Sequence, residues 1–281
     1  MKQTKTKIIN QDFVLSNGVK IPKIGFGTWQ IKQGKEAYNS VLLALKAGYR
    51  HIDTATVYRN EKSVGQAIKD SGIKREDIFV ATKLPSHIKG YESTFKELDK
   101  SLKRLGLDYI DLYLIHAPWP WIAIGTNHTE GNIKAWKAMI ELYNSKKIRA
   151  IGVSNFSISD IEPLIEATGF IPHVNQMPFY VGKPQTEIRH YCKQNNILFE
   201  AYSPLMSGRV FKVDIVNQLA NKYGVSAAQI ALRYTIQKDT LPLPKSTHEE
   251  RIISNAELDF VIADEDIEKM AAVNLNPKSR F

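Results

Sequence analysis

The sequence predicts an α/β protein, a (β/α)₈ TIM barrel whose bottom is closed by an N-terminal β-hairpin. Three observations predict it. Short β-rich runs alternate with helical patterns from end to end, which signals a parallel sheet with helical crossovers. Eight such runs can be counted after the hairpin. Nearly every run ends in a polar or ionisable residue, although parallel strands covered by helices should read apolar.

The elements follow in order. Phe13, Val14 and Leu15 face Val19, Lys20 and Ile21 across Ser16, Asn17 and Gly18, and the Asn-Gly pair predicts a two-residue turn in a hairpin spanning 12–22. The barrel strands are then expected near 24–26 and at 51–53, 79–83, 110–116, 148–154, 173–176, 198–202 and 240–243. Between them, Tyr38, Val41, Leu42 and Leu45 recur at three- and four-residue steps, as do Tyr91, Phe95, Leu98, Leu102 and Leu105. Each series is the buried stripe of an outer helix. Longer irregular stretches at 117–131 and 205–212 follow strands four and seven, so both should rise over the face where barrel sites are built. No Pro/Gly/Ser linker interrupts the series, so residues 1–281 are expected to form a single domain ending in a tail at 274–281.

Composition removes several function classes. No stretch approaches the roughly 18 apolar residues that a membrane span needs, and no apolar segment follows the lysine-rich start, so the expected location is the cytoplasm. Cys192 is the only cysteine, which rules out an intramolecular disulfide or a cysteine-rich zinc site and leaves it a packing role. The seven histidines have no His-Glu-x-x-His spacing, so no metal is expected. A formal charge of +9 suits an anionic partner, but the lysines are scattered with no basic stripe and interleaved aromatics, so a small anionic ligand is expected rather than nucleic acid or membrane. A monomer is expected.

The strand ends carry the chemistry. They are Asp53, Lys83, His116, Ser154 with Asn155, Gln176, Tyr202 with Ser203, and Lys245 with Ser246, all converging on one mouth. Singly, each has a bland reading: Asp53 as a cap, Lys83 as a solvated end, His116 as a core histidine. Jointly, an acid, a lysine and a histidine at one rim, where desolvation is costly, favour function. Tyr58 lies just beyond strand two, and a phenol beside the Lys83 ammonium is expected to have its pKa lowered from about 10, making it a proton donor. Asp53 would hold Lys83 charged, and His116 would hydrogen-bond a substrate carbonyl oxygen.

These residues, in this order, resemble the aldo-keto reductase superfamily over almost the whole chain, and its prokaryotic glyoxal, methylglyoxal and 2,5-diketogluconate reductases in particular. The likeness rests on Gly25-Phe26-Gly27-Thr28-Trp29, on His51-Ile52-Asp53-Thr54-Ala55 followed by Tyr58, and on Leu114-Ile115-His116. It implies that Asp53, Tyr58, Lys83 and His116 are the catalytic tetrad, with Tyr58 the acid/base. It also implies NADPH/NADP+ as cofactor, with Thr28 and Asp53 beside it. Ser154, Asn155 and Gln176 would bond the nicotinamide carboxamide, and Tyr202 would stack under the ring. Ser203 and Leu205 would face the pyrophosphate. Lys245, Ser246 and Arg251 would hold the 2′-phosphate, and Asn255 the adenine. A lysine and a bidentate arginine independently suit a phosphate monoester better than a ribose hydroxyl, although Arg251 also reads as a helix-surface residue. Gly25-x-Gly27 is no Rossmann fingerprint, since Gln30 stands where the third glycine belongs.

One departure concerns the substrate pocket, walled in this reading by Trp29, Tyr58, His116 and Trp119. Many relatives carry Trp directly after the histidine, but here Ala117 follows, and Trp119 or Trp121 must replace it. Short loops imply an open pocket for small aldehydes, 2-oxoaldehydes such as methylglyoxal, or keto sugars. Two other functions remain open: an NADPH-binding redox-sensing subunit with little catalysis, and a lyase forming a Schiff base through Lys83.

Overall fold

The computed structural model describes residues 6–275. The part of the expected tail from residue 276 onward lies outside them. Strands β1 (Asp12–Val14) and β2 (Lys20–Pro22) form the antiparallel hairpin, with Phe13 opposite Ile21. Its turn differs from the two-residue expectation. Gly18 N donates to Leu15 O and Leu15 N to Val19 O, so Ser16, Asn17 and Gly18 make a three-residue loop. Gly18 takes the left-handed position, at φ +82°, that such a loop requires.

The chain then alternates β3 (Phe26–Gly27), α1 (Lys35–Lys46), β4 (His51–Asp53), α2 (Glu61–Asp70), β5 (Phe79–Leu84), α3 (Tyr91–Leu105), β6 (Ile110–Ile115) and α4 (Thr129–Asn144). It continues through β7 (Ile148–Ser154), α5 (Ile158–Thr168), β8 (Val174–Pro178), α6 (Thr186–Gln194), β9 (Leu198–Tyr202), α7 (Asp214–Tyr223), α8 (Ala227–Gln237), β10 (Leu241–Leu243), α9 (Glu249–Ser254) and α10 (Asp264–Ala271). Strands β3 to β10 pair in parallel in sequence order. Gly25 N donates to Pro242 O (3.1 Å) and Gly27 N to Pro244 O (2.9 Å), which joins the first strand to the last and closes the barrel. Local signals fix the helix ends. Ser226 and Gln229 form a reciprocal cap on α8, and Gly106, left-handed at φ 65°, ends α3 after Lys103 and Arg104.

Strand periodicity sorts the side chains. Along β5 and β6, Val80, Leu84, Tyr113 and Ile115 pack outward against the helices. The opposite set, Phe79, Ala81, Leu112 and Leu114, forms a separate core with Ala150, Val174, Leu241 and Leu243 inside the barrel. Leu15 and Ile21 of the hairpin belong to that inner core, so the hairpin plugs the end where the strands begin. Two residues further along, or four on β7, the same inward parity reaches Lys83, His116, Ser154, Gln176 and Lys245. The polar strand ends therefore form the mouth of one interior whose base, next to the hairpin, is apolar.

Gly25 shows how tightly that interior is filled. A Cβ there would lie 2.6 Å from both His51 Nδ1 and Leu243 Cδ2. Gly25→Ala is expected to cost about 1–3 kcal/mol through overpacking, read as a lower urea midpoint. An unchanged midpoint would show that His51 does not need this space.

Candidate active site

The centre of the mouth is an ion pair. Lys83 Nζ donates to both carboxylate oxygens of Asp53 (2.8 and 2.7 Å) and to Thr54 O (2.9 Å). Both residues are buried. Burial alone works against the ammonium, but Asp53, together with Tyr58 and Glu200, outweighs it and holds the Lys83 pKa above its ordinary value. A charged amine with its protons bound has no lone pair for a carbonyl, which weighs against the Schiff-base alternative.

Tyr58 closes a 3₁₀ turn, Thr56–Tyr58, directly after β4. Buried Asn60 braces the segment, accepting from Thr54 Oγ1 (2.8 Å) and donating to Thr28 O (2.9 Å) and Ile31 O (3.0 Å). The Tyr58 hydroxyl then sits 3.4 Å from Lys83 Nζ, and its ring meets His116 edge-on at 5.6 Å between centroids. The expectation of a lowered phenol pKa is corrected here. Burial raises it more than the ammonium lowers it, and the phenol is pushed up to about 12. Tyr58 therefore keeps its proton over the ordinary pH range. His116 is held well below 6.5 by burial and by the Lys83 charge, so it is neutral, and its Nδ1 is buried without a partner.

The second group of predicted residues lies along β7 to β10. Asn155, left-handed at φ 63°, donates to His116 O (3.0 Å) and Ser154 Oγ (3.0 Å) and accepts from the Tyr202 hydroxyl (2.8 Å). Ser154 Oγ donates to Gln176 O (2.9 Å). The Gln176 amide reaches inward instead, donating to Asp53 Oδ2 (3.0 Å) and Glu200 Oε2 (2.7 Å). Thr28 Oγ1 donates to Asp53 O (2.9 Å), tying the first two strand ends together. Ser203 follows Tyr202 in a left-handed conformation (φ 52°), and Leu205 packs partly buried against the outer core. Beyond β10, Lys245 and Arg251 are exposed and make no ion pair among those described, while Ser246 Oγ caps the following segment by accepting from His248 N (3.1 Å). Asn255 is buried, and none of the described hydrogen bonds uses its side chain.

The loop after β6 is irregular only as far as His128, because residues 129–131 already form the first turn of α4. Lys89 Nζ clamps its start by donating to Ala117 O (2.9 Å), and Asn132 Nδ2 donates to Pro118 O (2.8 Å). Trp121 returns to meet the His116 ring edge-on at 5.8 Å, and Trp119 packs against Trp121 at 5.0 Å. The indole in contact with the histidine is thus Trp121, the second of the two candidates, with Trp119 packed against it, because the turn after Pro118 and Pro120 folds it back. Trp29 stands 48% exposed on the rim. Residues 205–212 form a kinked 3₁₀ segment, Met206–Lys212, rather than an open loop.

Two interior residues were not singled out from the sequence. Glu200 and His51 are fully buried one layer below Tyr202 and Asp53, with Glu200 Oε1 3.6 Å from His51 Nε2. An acid in the middle of a strand covered on both faces was the available signal.

Known proteins share this architecture. The chain is 44% identical over 261 residues to a glyoxal reductase of Bacillus subtilis, covering 92% of this chain and 91% of the relative. The crystal structure of an aldo/keto reductase from Brucella melitensis superposes with a TM-score of 0.87 at 42% identity, covering 93% of this chain and 98% of the other. A Bombyx mori aldo-keto reductase, solved in complex with NADP, superposes with a TM-score of 0.84 at 34% identity, covering 93% and 92%. Residues 23–275 match the aldo/keto reductase family, and the protein belongs to that family.

Proposed function

We propose that the protein reduces aldehydes and ketones with NADPH, using Tyr58 as the proton donor. The observation that carries this reading is a protonated phenol 3.4 Å from an ammonium that Asp53 keeps charged. The residues present fit the cofactor. Lys245 and Arg251 are exposed cations that make no ion pair among the described residues, suited to a 2′-phosphate, with Ser246 alongside. Asn255 offers an unused amide for adenine, and Ser203 and Leu205 line the path between. Gln176 Oε1 and the second lone pair of Asn155 Oδ1 can accept from a carboxamide, with Ser154 behind them and Tyr202 offering a ring to stack on. The bound dihydronicotinamide supplies the hydride.

The chain's own groups manage the oxygen. His116, neutral and sealed at Nδ1, can donate only from Nε2, which orients a carbonyl towards Tyr58. Tyr58 passes its proton to that oxygen as negative charge develops, and Lys83 stabilises the phenolate left behind. Trp29 and Trp121, with Trp119 behind, provide apolar walls. The relative named a glyoxal reductase favours small aldehydes, 2-oxoaldehydes and keto sugars as substrates.

The test is a titration with NADPH and NADH. Arg251→Ala is expected to weaken NADPH about 10- to 100-fold, the range of a lost charge-assisted pair, and to leave NADH unchanged. Equal losses for both would remove the 2′-phosphate assignment. If the protein oxidises NADPH with none of a panel of aldehydes, dicarbonyls and keto sugars, the reductase reading fails. Tight NADPH binding without carbonyl-dependent oxidation would favour the redox sensor.

A pH profile tests the proton inventory. With the phenol pKa at about 12 and His116 neutral, kcat for reduction is expected to be flat between roughly pH 6 and 10. Alcohol oxidation needs the phenolate and should rise with pH across the same window. A reduction rate that falls through neutrality would mean that another group supplies the proton.

A further inference from the structure

Six acids are buried among the described residues, and five have a lysine or arginine. Asp53 has Lys83, Glu61 has Arg104, Glu97 has Lys100 and Arg104, Asp111 has Arg75 and Arg149, and Asp266 has Lys222 and Lys269. Glu200 has none. It lies inside the barrel on β9 with no exposed surface, and an unpaired carboxylate there is costly. Its Oε2 accepts from Gln176 Nε2 at 2.7 Å, whereas Oε1 has no hydrogen bond and stops 3.6 Å from His51 Nε2, which also has none.

One proton between Oε1 and Nε2 serves both atoms, and the ring's own hydrogen is then on Nδ1, which is also buried without a hydrogen bond. A carboxylic acid can donate from Oε1 to an imidazole nitrogen that carries no hydrogen. The titratable groups facing the site are Asp53, Lys83, Tyr58 and His51. Burial and the neighbouring Asp53 push the Glu200 pKa up to about 8 against the opposing pull of the Gln176 hydrogen bond and the Lys83 charge, and burial with the Lys83 charge takes His51 down to about 3. The proton therefore resides on the acid.

Gln176 is then fully determined. Its two amide hydrogens face two acceptors, Glu200 Oε2 and Asp53 Oδ2, so Oε1 must be the atom turned away from them. None of the described hydrogen bonds occupies that oxygen. We propose that Glu200, carrying a proton aimed at His51, is a positioning residue that locks the Gln176 amide with Oε1 presented to the nicotinamide carboxamide. The inference rests on the NADPH reading above. Without Glu200, only Asp53 would hold the amide, and it could rotate to offer either a donor or an acceptor.

The experiment measures binding by tryptophan fluorescence for NADPH and for 2′,5′-ADP, which has the 2′-phosphate and adenine but no nicotinamide. Glu200→Leu is expected to weaken NADPH about tenfold, the scale of a lost buried hydrogen bond, without moving 2′,5′-ADP. Glu200→Gln can accept from Gln176 and donate to His51, so it should restore wild-type NADPH affinity. NADPH binding unchanged in E200L, or E200Q as weak as E200L, overturns the proposal, as does equal loss of both ligands. Wild-type protein that binds neither ligand overturns the cofactor reading and this inference with it; wild type that binds both while E200L matches it overturns this inference alone. If E200L does not fold, thermal unfolding of wild type against E200Q decides. A group raised from 4.5 to about 8 contributes stability that is full below the lower value and lost as pH rises towards the upper one. E200Q should therefore gain on wild type across that window, and a pH-independent difference overturns the protonated Glu200.

Discussion

Tyr58→Phe is expected to lower kcat for carbonyl reduction by about 10²- to 10⁴-fold, the usual range for removal of a positioned general acid. The phenyl ring keeps its edge contact with His116, and the position of Asp53 against Lys83 does not depend on the hydroxyl. The one hydrogen bond lost is long, 3.4 Å to Lys83 Nζ, so stability should fall by less than about 1 kcal/mol. NADPH affinity should be unchanged, because none of the groups proposed to hold the nucleotide bonds to this hydroxyl. The combination is diagnostic: turnover collapses, while binding and the unfolding midpoint stay. A variant with normal turnover would take the proton-donor role from Tyr58, and a variant that also lost NADPH would make the residue a structural one.

The barrel was legible because its signal is periodic. Alternate residues along β5 and β6 face opposite sides, and the polar ends continue the inward series begun by Phe79 and Leu112, so eight short runs disclosed both the sheet and the mouth. Turn detail was less legible. Asn17-Gly18 marks a hairpin in sequence, but whether two or three residues form its loop depends on strand register, which hydrogen bonds at Leu15 and Val19 set. Loop aromatics were hidden for a similar reason: Trp119 and Trp121 have the same chemistry, and only the path after Pro118 brings Trp121 to His116. The direction of the Tyr58 shift needed burial, since an adjacent ammonium and a dry pocket act with opposite sign. Glu200 was not legible because it stands in the middle of a strand, where a buried acid is informative only once no lysine or arginine is seen within ion-pairing distance of it.

Lys83→Met separates what the ion pair does for catalysis from what it does for folding. Removing the ammonium leaves Asp53 buried and uncompensated, which should destabilise the fold by about 3–5 kcal/mol near neutral pH. Turnover should also fall, by about 10²-fold or more, because the phenolate formed at Tyr58 would lose the ammonium beside it. The double variant Asp53→Asn with Lys83→Met distinguishes the two effects. A neutral amide can still accept from Gln176 Nε2, and replacing a buried pair by uncharged groups is often neutral for stability, so the urea midpoint should return towards wild type. Turnover should not return with it. If activity recovers together with stability, the pair serves the fold alone, and the charge on Lys83 has no part in moving the proton.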